Sequence, residues 1–349
     1  MDSHPIADAD RYSRQILFPG IGAEGQSRLA HAHAAVIGCG ATGAAAASLL
    51  ARAGVGRLTL IDRDYVEPSN LQRQILFDES DALAALPKAE AARRKLATFN
   101  STLQVDAHIS DLVPANIAAL LSGAQILLDA TDNFETRYLL NDFAIQQSIP
   151  WIYTAAVGAY AATMNILPGQ TSCLACIFPA APAGPVDTCD TAGILNTAVN
   201  LAASIAVTEA LKLLTGQSRL MRRTLLSFDL WTSETSQVSA AAPRPGCTVC
   251  GARQFHHLAG TARPHITLCG RNSVQIHEHA RPVDLAQMHQ RLAAHGNVRS
   301  NGMLLRLDLP PRPDGSAFSL TLFPDGRALI QGTTDVALAR SLYARYIGS

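Results

Sequence analysis

Between residues 35 and 74 the chain reads AVIGCGATG, an alanine-rich run, and then LTLIDRDYVEPSNLQRQ. An apolar strand over 35–37 runs directly into Gly38-Cys39-Gly40-Ala41-Thr42-Gly43. A strand that enters such a loop and leaves it as a helix opens a nucleotide-binding βαβ unit. Glycines permit a tight turn and close approach of the backbone to a phosphate, and the helix N-terminus offers free N–H groups and the positive end of its dipole. The alanine run is expected to end at Gly54, and a second strand over 58–61 ends on Asp62. Asp62 lies 19 residues beyond Gly43, where a carboxylate can accept hydrogen bonds from ribose hydroxyls. By itself this motif specifies a nucleotide and no particular chemistry.

The remainder of the chain fits that opening. A chain of 349 residues can hold two domains with full cores. Its net charge of zero argues against bulk binding to nucleic acid or to an anionic membrane. The polar start MDSHPIADAD lacks the apolar core of a signal peptide. The most apolar long run, 194–214, contains Asn196, Asn200, Ser204, Glu209 and Lys212, which suits a buried or amphipathic helix better than a membrane span. Four of the seven cysteines form two CxxC pairs, so metal binding in a reducing, cytoplasmic setting is expected rather than a disulfide framework.

Coarse periodicity predicts a helical entry segment over 11–31, helices over 88–99, 116–121 and 135–147, and strands over 103–107, 126–128 and 151–153. This alternation implies an α/β fold with a doubly wound, Rossmann-like, mostly parallel sheet. Residues 63–87 lack periodicity and are expected to form a functional loop. The pattern then changes to an antiparallel extension, with strands over 161–167, 222–228 and 232–238 around the long helix 194–214. A linker at 256–264 separates a large domain, 1–260, from a small α+β domain, 265–349. Within the large domain, 30–155 form the nucleotide half and 156–260 the zinc and cysteine half. The small domain is expected to carry strands over 265–277 and 303–309, a helix over 284–294, a hairpin over 319–331 turning at Pro324-Asp325-Gly326, and a final helix over 335–346.

Several side chains carry chemistry. Cys173, Cys176, Cys247 and Cys250 supply four thiolates, the tetrahedral set of a closed structural zinc site. The wide gap between the pairs means that the metal would pin a distant segment back onto the core. Asn70, Arg73 and Gln74 follow Asp62 closely, and Lys88 opens the next helix. Cations near a glycine loop favour a triphosphate that is being cleaved, because the departing oxygens need positive charge. Asp129 and Asp132, at the end of the 126–128 strand, are expected to face the ligand crevice, where a carboxylate can hold Mg²⁺; Asp132 or Asn133 could instead cap the following helix. Cys189, just before the long helix, is either a nucleophile with a lowered pKa or an ordinary thiol. Cys39 and Cys269 read as packing residues, and the histidines show no ligand or triad spacing.

Taken together, Arg11-Tyr12-Ser13-Arg14-Gln15, GCGATG at 38–43, Asp62, Ser69-Asn70-Leu71-Gln72-Arg73-Gln74, Pro87-Lys88, Thr131-Asp132-Asn133 with Glu135 and Arg137, both CxxC pairs and Cys189-Asp190-Thr191-Ala192-Gly193 resemble the MoeB/ThiF/HesA adenylyltransferases, bacterial relatives of the ubiquitin-activating enzymes. The resemblance covers residues 11–251. It implies ATP-dependent adenylation of the C-terminal glycine carboxylate of a ubiquitin-like sulfur-carrier protein ending in Gly-Gly, with release of pyrophosphate, in preparation for thiocarboxylate formation. It further implies that Gly38, Gly40 and Gly43 line the nucleotide, that Asp62 takes the ribose, that Asn70, Arg73 and Lys88 bind the phosphates, and that Asp132, beside Asn133, takes the Mg²⁺ and adenylation role. Arg14 would reach into the neighbouring subunit of a homodimer, and Cys189 would serve sulfur transfer, with the sulfur coming from a separate donor. Ala41 departs from a glycine common in the loop, and Ala130 from a cysteine. The segment LTLFPDGRALIQGTTD in the tail resembles appendages of some members, and the tail is expected to help dock the carrier or a partner subunit. Two other readings stand beside it: an NAD-dependent oxidoreductase, which fits the same opening motif, and a non-catalytic zinc-containing scaffold that keeps the zinc fold and binds a partner.

Overall fold

The computed structural model describes residues 8–180, 191–260, 267–269, 273–276, 282–311 and 315–348. Its contacts divide the chain into two units, Met1–Leu83 with Pro87–Ala262, and Ala84–Leu86 with Arg263–Ser349.

The first unit is built on an eight-stranded sheet. In chain order its strands are β1 His33–Ile37, β2 Arg57–Ile61, β3 Gln104–His108, β4 Ile126–Asp129, β5 Trp151–Val157, β6 Tyr160–Ile166, β7 Thr224–Asp229 and β8 Glu234–Ser239. Their spatial order is β3-β2-β1-β4-β5-β6-β7-β8. The first five are parallel and the last three add antiparallel pairs. All five residues of β1 are buried, as expected of a central parallel strand covered on both faces.

The alanines of the helix Ala41–Ala53 let it lie close to its neighbours, and it ends on Gly54 in the left-handed region, φ +87°. The helix Asn196–Leu214 packs on it and on β5 and β6, burying Ala198, Ala202, Ala206 and Ala210. Among the described residues this is the one helix long and apolar enough to cross a membrane by length and composition, and 44% of that stretch is buried. Its buried Glu209 is paired: it accepts from Asn165 Nδ2 at 2.7 Å, Arg222 N at 2.8 Å and Lys212 Nζ at 2.7 Å.

The second unit is a six-stranded antiparallel sheet made of β9 Thr267–Cys269, β10 Ser273–Ile276, β11 Asn297–Ser300, β12 Leu305–Asp308, β13 Ser319–Leu322 and β14 Ala328–Gln331. The order is β11-β12-β13-β14-β10-β9. The helices Leu285–Leu292 and Val336–Tyr346 start at Asp284 and Asp335, whose side chains cap the first turns. Met288, Leu292, Leu342 and Tyr343 from these helices share one core with Val274, Leu307, Leu320 and Ile330 from the sheet.

Four details differ from the expectation. The entry segment is three short helices, Asp8–Arg11, Ser13–Ile16 and Gly22–Ala30; Pro19 and Gly20 fall in the break, where helix continuation is costly. The 63–87 loop contains a 3₁₀ turn, Pro68–Asn70, and a short helix, Glu79–Leu83. The single strand expected over 265–277 is two, β9 and β10, paired antiparallel with Ser273 opposite Cys269. Strand β11 has no counterpart in the sequence pattern. It lies at an edge and is largely exposed, so it lacks apolar alternation.

Candidate functional site

β1 lies between β2 and β4, with Ile37 opposite both Ile61 and Asp129. The three strands therefore end side by side. The chain runs outward from β1 to β3 and then returns to the other side of β1, so the switch point of the sheet falls between β1 and β4, the crevice in which such sheets bind ligands. The loops at this end are tied together by Gly38 N donating to Ile61 O and Ala130 N to Ile37 O, both at 2.8 Å.

The three loop glycines obey different constraints. Gly38 has φ +90°, and a Cβ there would lie 2.6 Å from Ala130 O. A Cβ on Gly43 would lie 1.8 Å from Gly38 O. Protein packing alone requires both. At Gly40 a Cβ would meet nothing within 4 Å, and φ is −71°, which any residue adopts. Gly40 begins the helix Ala41–Ala53 and no side chain caps that helix. The open space above Gly40 adjoins the first-turn N–H groups, an arrangement suited to a phosphate.

Asp62, half-buried, turns back on this loop. Its Oδ2 accepts from Cys39 N at 2.6 Å and its Oδ1 from Asp64 N at 2.7 Å. Burial pushes its carboxyl above the usual carboxylate range, Lys88 opposes that shift, and Asp64 adds to it. Burial also pushes the Cys39 thiol well up, so Cys39 is a packing residue, as expected. Lys88 is 2% exposed, and its Nζ donates to Asp64 Oδ2 at 3.1 Å. Its helix is docked by Lys88 N donating to Asp64 O and by a bridge between Tyr65 and Pro87.

Asn70 is fully buried at the end of the 3₁₀ turn. Its Oδ1 accepts from Glu67 N at 3.1 Å, while its Nδ2 has no protein partner. Gln74 is likewise buried with Oε1 unpaired. Buried amides left half-satisfied await a ligand or an ordered water. Arg73 donates to Ser69 O at 2.7 Å. The loop is also held from the long helix, where Asn196 Nδ2 donates to Gln72 O at 3.2 Å.

At the end of β4 the two aspartates diverge, which corrects the expectation that both face the crevice. Asp129 is buried and paired with Arg137 at 3.3 Å, and it also accepts from Thr131 N and Oγ1. Arg137 in turn donates to Thr131 O at 2.6 Å and Thr154 O at 3.2 Å, with its guanidinium over the Tyr153 ring. Asp132 is exposed at the tip of the turn thus fixed. Asn133 Oδ1 accepts from Thr136 N at 2.8 Å and caps the helix Phe134–Gln147, so its Nδ2 is the donor it can offer a ligand. Asp64 and Asp129 carry contacts that periodicity does not reveal; the signal available for Asp129 was an arginine one helical turn into the next helix.

The four cysteines converge as expected. Their sulfurs lie within 4.8 Å of one another, with Cys173 3.7 Å from both Cys176 and Cys247, and Cys176 3.4 Å from Cys250. Burial and the neighbouring thiols push Cys173 up to about 12. A divalent cation that replaces the protons removes that penalty, so this donor set suits a tetrahedral metal. The helix Phe134–Gln147 holds the first knuckle and the segment that follows the second. Asn141 Oδ1 accepts from Leu174 N, and Asp142 Oδ2 accepts from His257 N, both at 2.9 Å, while Tyr138 stacks on the His257 ring. Arg14 is exposed on the helix Ser13–Ile16. Cys189 lies outside the described residues.

The ThiF family matches residues 12–249. The chain belongs to the ThiF family. Over 342 residues it is 45% identical to the sulfur carrier protein ThiS adenylyltransferase of Bacillus subtilis, covering 97% of this chain and 99% of that protein. The SAMP-activating enzyme E1 of Haloferax volcanii is 36% identical over 243 residues, 69% of this chain and 88% of that one. Among solved structures, E. coli MccB with ATP superposes with a TM-score of 0.60 at 25% identity, covering 69% of this chain and 74% of that one. The family match spans the first unit up to the second cysteine pair. The B. subtilis relative extends the likeness through the second unit as well.

Proposed function

We propose that this ThiF-family chain is an ATP-dependent adenylyltransferase. It activates the C-terminal glycine carboxylate of a ubiquitin-like sulfur-carrier protein and so prepares it for thiocarboxylate formation. The observation that carries this reading is the joint ending of β1, β2 and β4, which gathers the glycine loop, Asp62 and the Asp132 turn at one crevice.

The backbone of Gly38, Gly40 and Gly43 faces the nucleotide, and Asp62 accepts from the ribose hydroxyls. Asn70 Nδ2, Arg73 and Lys88 take phosphate oxygens, and Asn133 Nδ2 contributes a further donor. The carrier carboxylate attacks the α-phosphorus, the bond to the bridging oxygen breaks, and pyrophosphate leaves. Negative charge grows on the departing side, so preorganised cations there lower the barrier. Asp132, exposed at the turn, would hold Mg²⁺, which supplies positive charge to the same oxygens. Positioning supplies most of the remainder, because adenylation requires no covalent enzyme intermediate. Arg14, exposed and distant in sequence from the loop, serves the site of a second subunit in a homodimer. Cys189 acts in the subsequent sulfur step with a separate donor. The four cysteines hold a structural Zn²⁺.

ATP–pyrophosphate exchange that depends on a diglycine-ended carrier tests this reading. Asp132→Ala is expected to abolish exchange while the circular-dichroism spectrum and thermal midpoint stay near wild type, because Asp132 packs against no core. Full exchange by Asp132→Ala, or exchange independent of any carrier, would overturn the mechanism.

A further inference from the structure

Lys88 is a buried ammonium at the edge of the candidate phosphate site, and a continuous set of hydrogen bonds leads from it to the glycine loop. Cys39 N donates to Asp62 Oδ2 at 2.6 Å, Asp64 N donates to Asp62 Oδ1 at 2.7 Å, and Lys88 N donates to Asp64 O at 2.8 Å. Lys88 Nζ closes the set on Asp64 Oδ2 at 3.1 Å. Asp64 therefore touches both the candidate ribose carboxylate and the candidate phosphate lysine, through its N–H, its carbonyl and its side chain.

The carboxylate of Asp64 is bracketed by cations. Arg63 Nε lies 3.9 Å from Oδ1, and Arg63 is anchored in turn by Nη1 to Asp111 Oδ1 at 3.0 Å. The Lys88 side chain is 3% exposed and that of Asp64 33% exposed, so the pair stands at the boundary between core and crevice. A lysine has four rotatable bonds and loses considerable entropy when a ligand orders it. A fixed carboxylate orders it in advance. An ammonium has three donors, and the bond to Asp64 leaves two for phosphate oxygens.

We propose that Asp64 is a positioning residue for the adenylation reaction, holding the Lys88 ammonium pointed at the phosphate-binding space and joined to the ribose-binding Asp62. The inference rests on Lys88 being a phosphate ligand. The bland alternative is a buried ion pair that serves only to fold the 63–88 loop.

A double-mutant cycle separates the two. ATP binding by the full chain is measured by calorimetry without any carrier, for wild type, Asp64→Asn, Lys88→Met and the double variant, alongside thermal midpoints. If Asp64 acts through Lys88, each single variant weakens ATP binding by about tenfold or more, and Asp64→Asn changes binding less than about twofold once Lys88 is Met. Multiplying losses in the double variant would overturn the proposal, as would a single-variant loss explained by partial unfolding. Should Asp64→Asn fail to fold, Asp64→Glu keeps the charge one methylene away, and the same cycle is run with it; a loss of ATP affinity that persists with Lys88→Met overturns the proposal equally. Carrier-dependent exchange is read separately. Coupled ATP binding without exchange would sink the carrier reading and leave the ordering of Lys88 for ATP by Asp64 standing, whereas absence of ATP binding in wild type would overturn both.

Discussion

Gly38 and Gly40 are two residues apart in the same loop and answer to different forces. Gly38 is demanded by the fold, since any side chain there meets the Ala130 carbonyl and must also adopt φ +90°. Gly38→Ala is expected to cost about 1–3 kcal/mol or more of stability, the scale of left-handed backbone strain with an added clash. Gly40→Ala places its methyl in open space and should leave the unfolding free energy from urea curves within about 0.5 kcal/mol of wild type, a surface-like change. The same methyl occupies the proposed phosphate position, so ATP affinity should fall at least about tenfold. Unfolding curves and nucleotide titrations on the two variants check both halves, and unchanged ATP binding by Gly40→Ala would remove the phosphate from this position. Both glycines belong to one sequence motif; the neighbour that distinguishes them is Ala130, just after β4 and about ninety residues away in sequence.

At the scale of elements, the turn after β4 depends on Arg137. This side chain fixes the Thr131 and Thr154 carbonyls and neutralises the buried Asp129. Arg137→Met should cost about 3–5 kcal/mol at neutral pH, because it strands a buried carboxylate. Burial already pushes the Asp129 carboxyl upward, with Arg137 as the main opposing influence, so its removal drives the native carboxyl further up. The native state of the variant then binds a proton that the unfolded chain has released, across the interval between the ordinary carboxylate range and the raised native one. Stability of Arg137→Met relative to wild type should therefore improve as pH falls through that interval and worsen as pH rises through it. Chemical denaturation of both proteins from acid to neutral pH measures this, and a pH-independent difference would assign the loss to the two carbonyl contacts instead.

For the whole molecule, the cysteine quartet joins segments more than seventy residues apart in sequence, with Cys173 and Cys176 on one side and Cys247 and Cys250 on the other. A metal there closes a long loop, whose entropy cost grows only slowly with length. Purified protein is expected to contain about one zinc per chain by elemental analysis, matching a closed four-thiolate site. Cys250→Ala should lower zinc content and reduce the thermal midpoint by several degrees, in line with the loss of a structural metal ligand. A zinc-free wild type of undiminished stability would leave the cluster as four packed thiols. Asn141 holds the first knuckle, and Asp142 the segment after the second, from the helix whose first residue follows Asn133, so the metal cluster and the Asp132 turn share one support.

The sequence by itself determined the βαβ opening, the alternation that makes a doubly wound sheet, the four-thiolate set and the family, because glycine loops, apolar periodicity and paired CxxC spacing are local patterns tied to local physics. The small unit was legible mainly where a cap or turn residue marked it, as at Asp284, Asp335 and Pro324-Asp325-Gly326. It was illegible at β11, whose edge position relieves it of any apolar pattern. Only the tertiary structure decided which of two neighbouring aspartates is buried with an arginine and which is exposed, that Asn133 spends its oxygen on a helix cap, and that Asp64 links Asp62 to Lys88. Those outcomes depend on strands and loops meeting across many residues, and the direction of a single polar side chain follows from the partners it meets there.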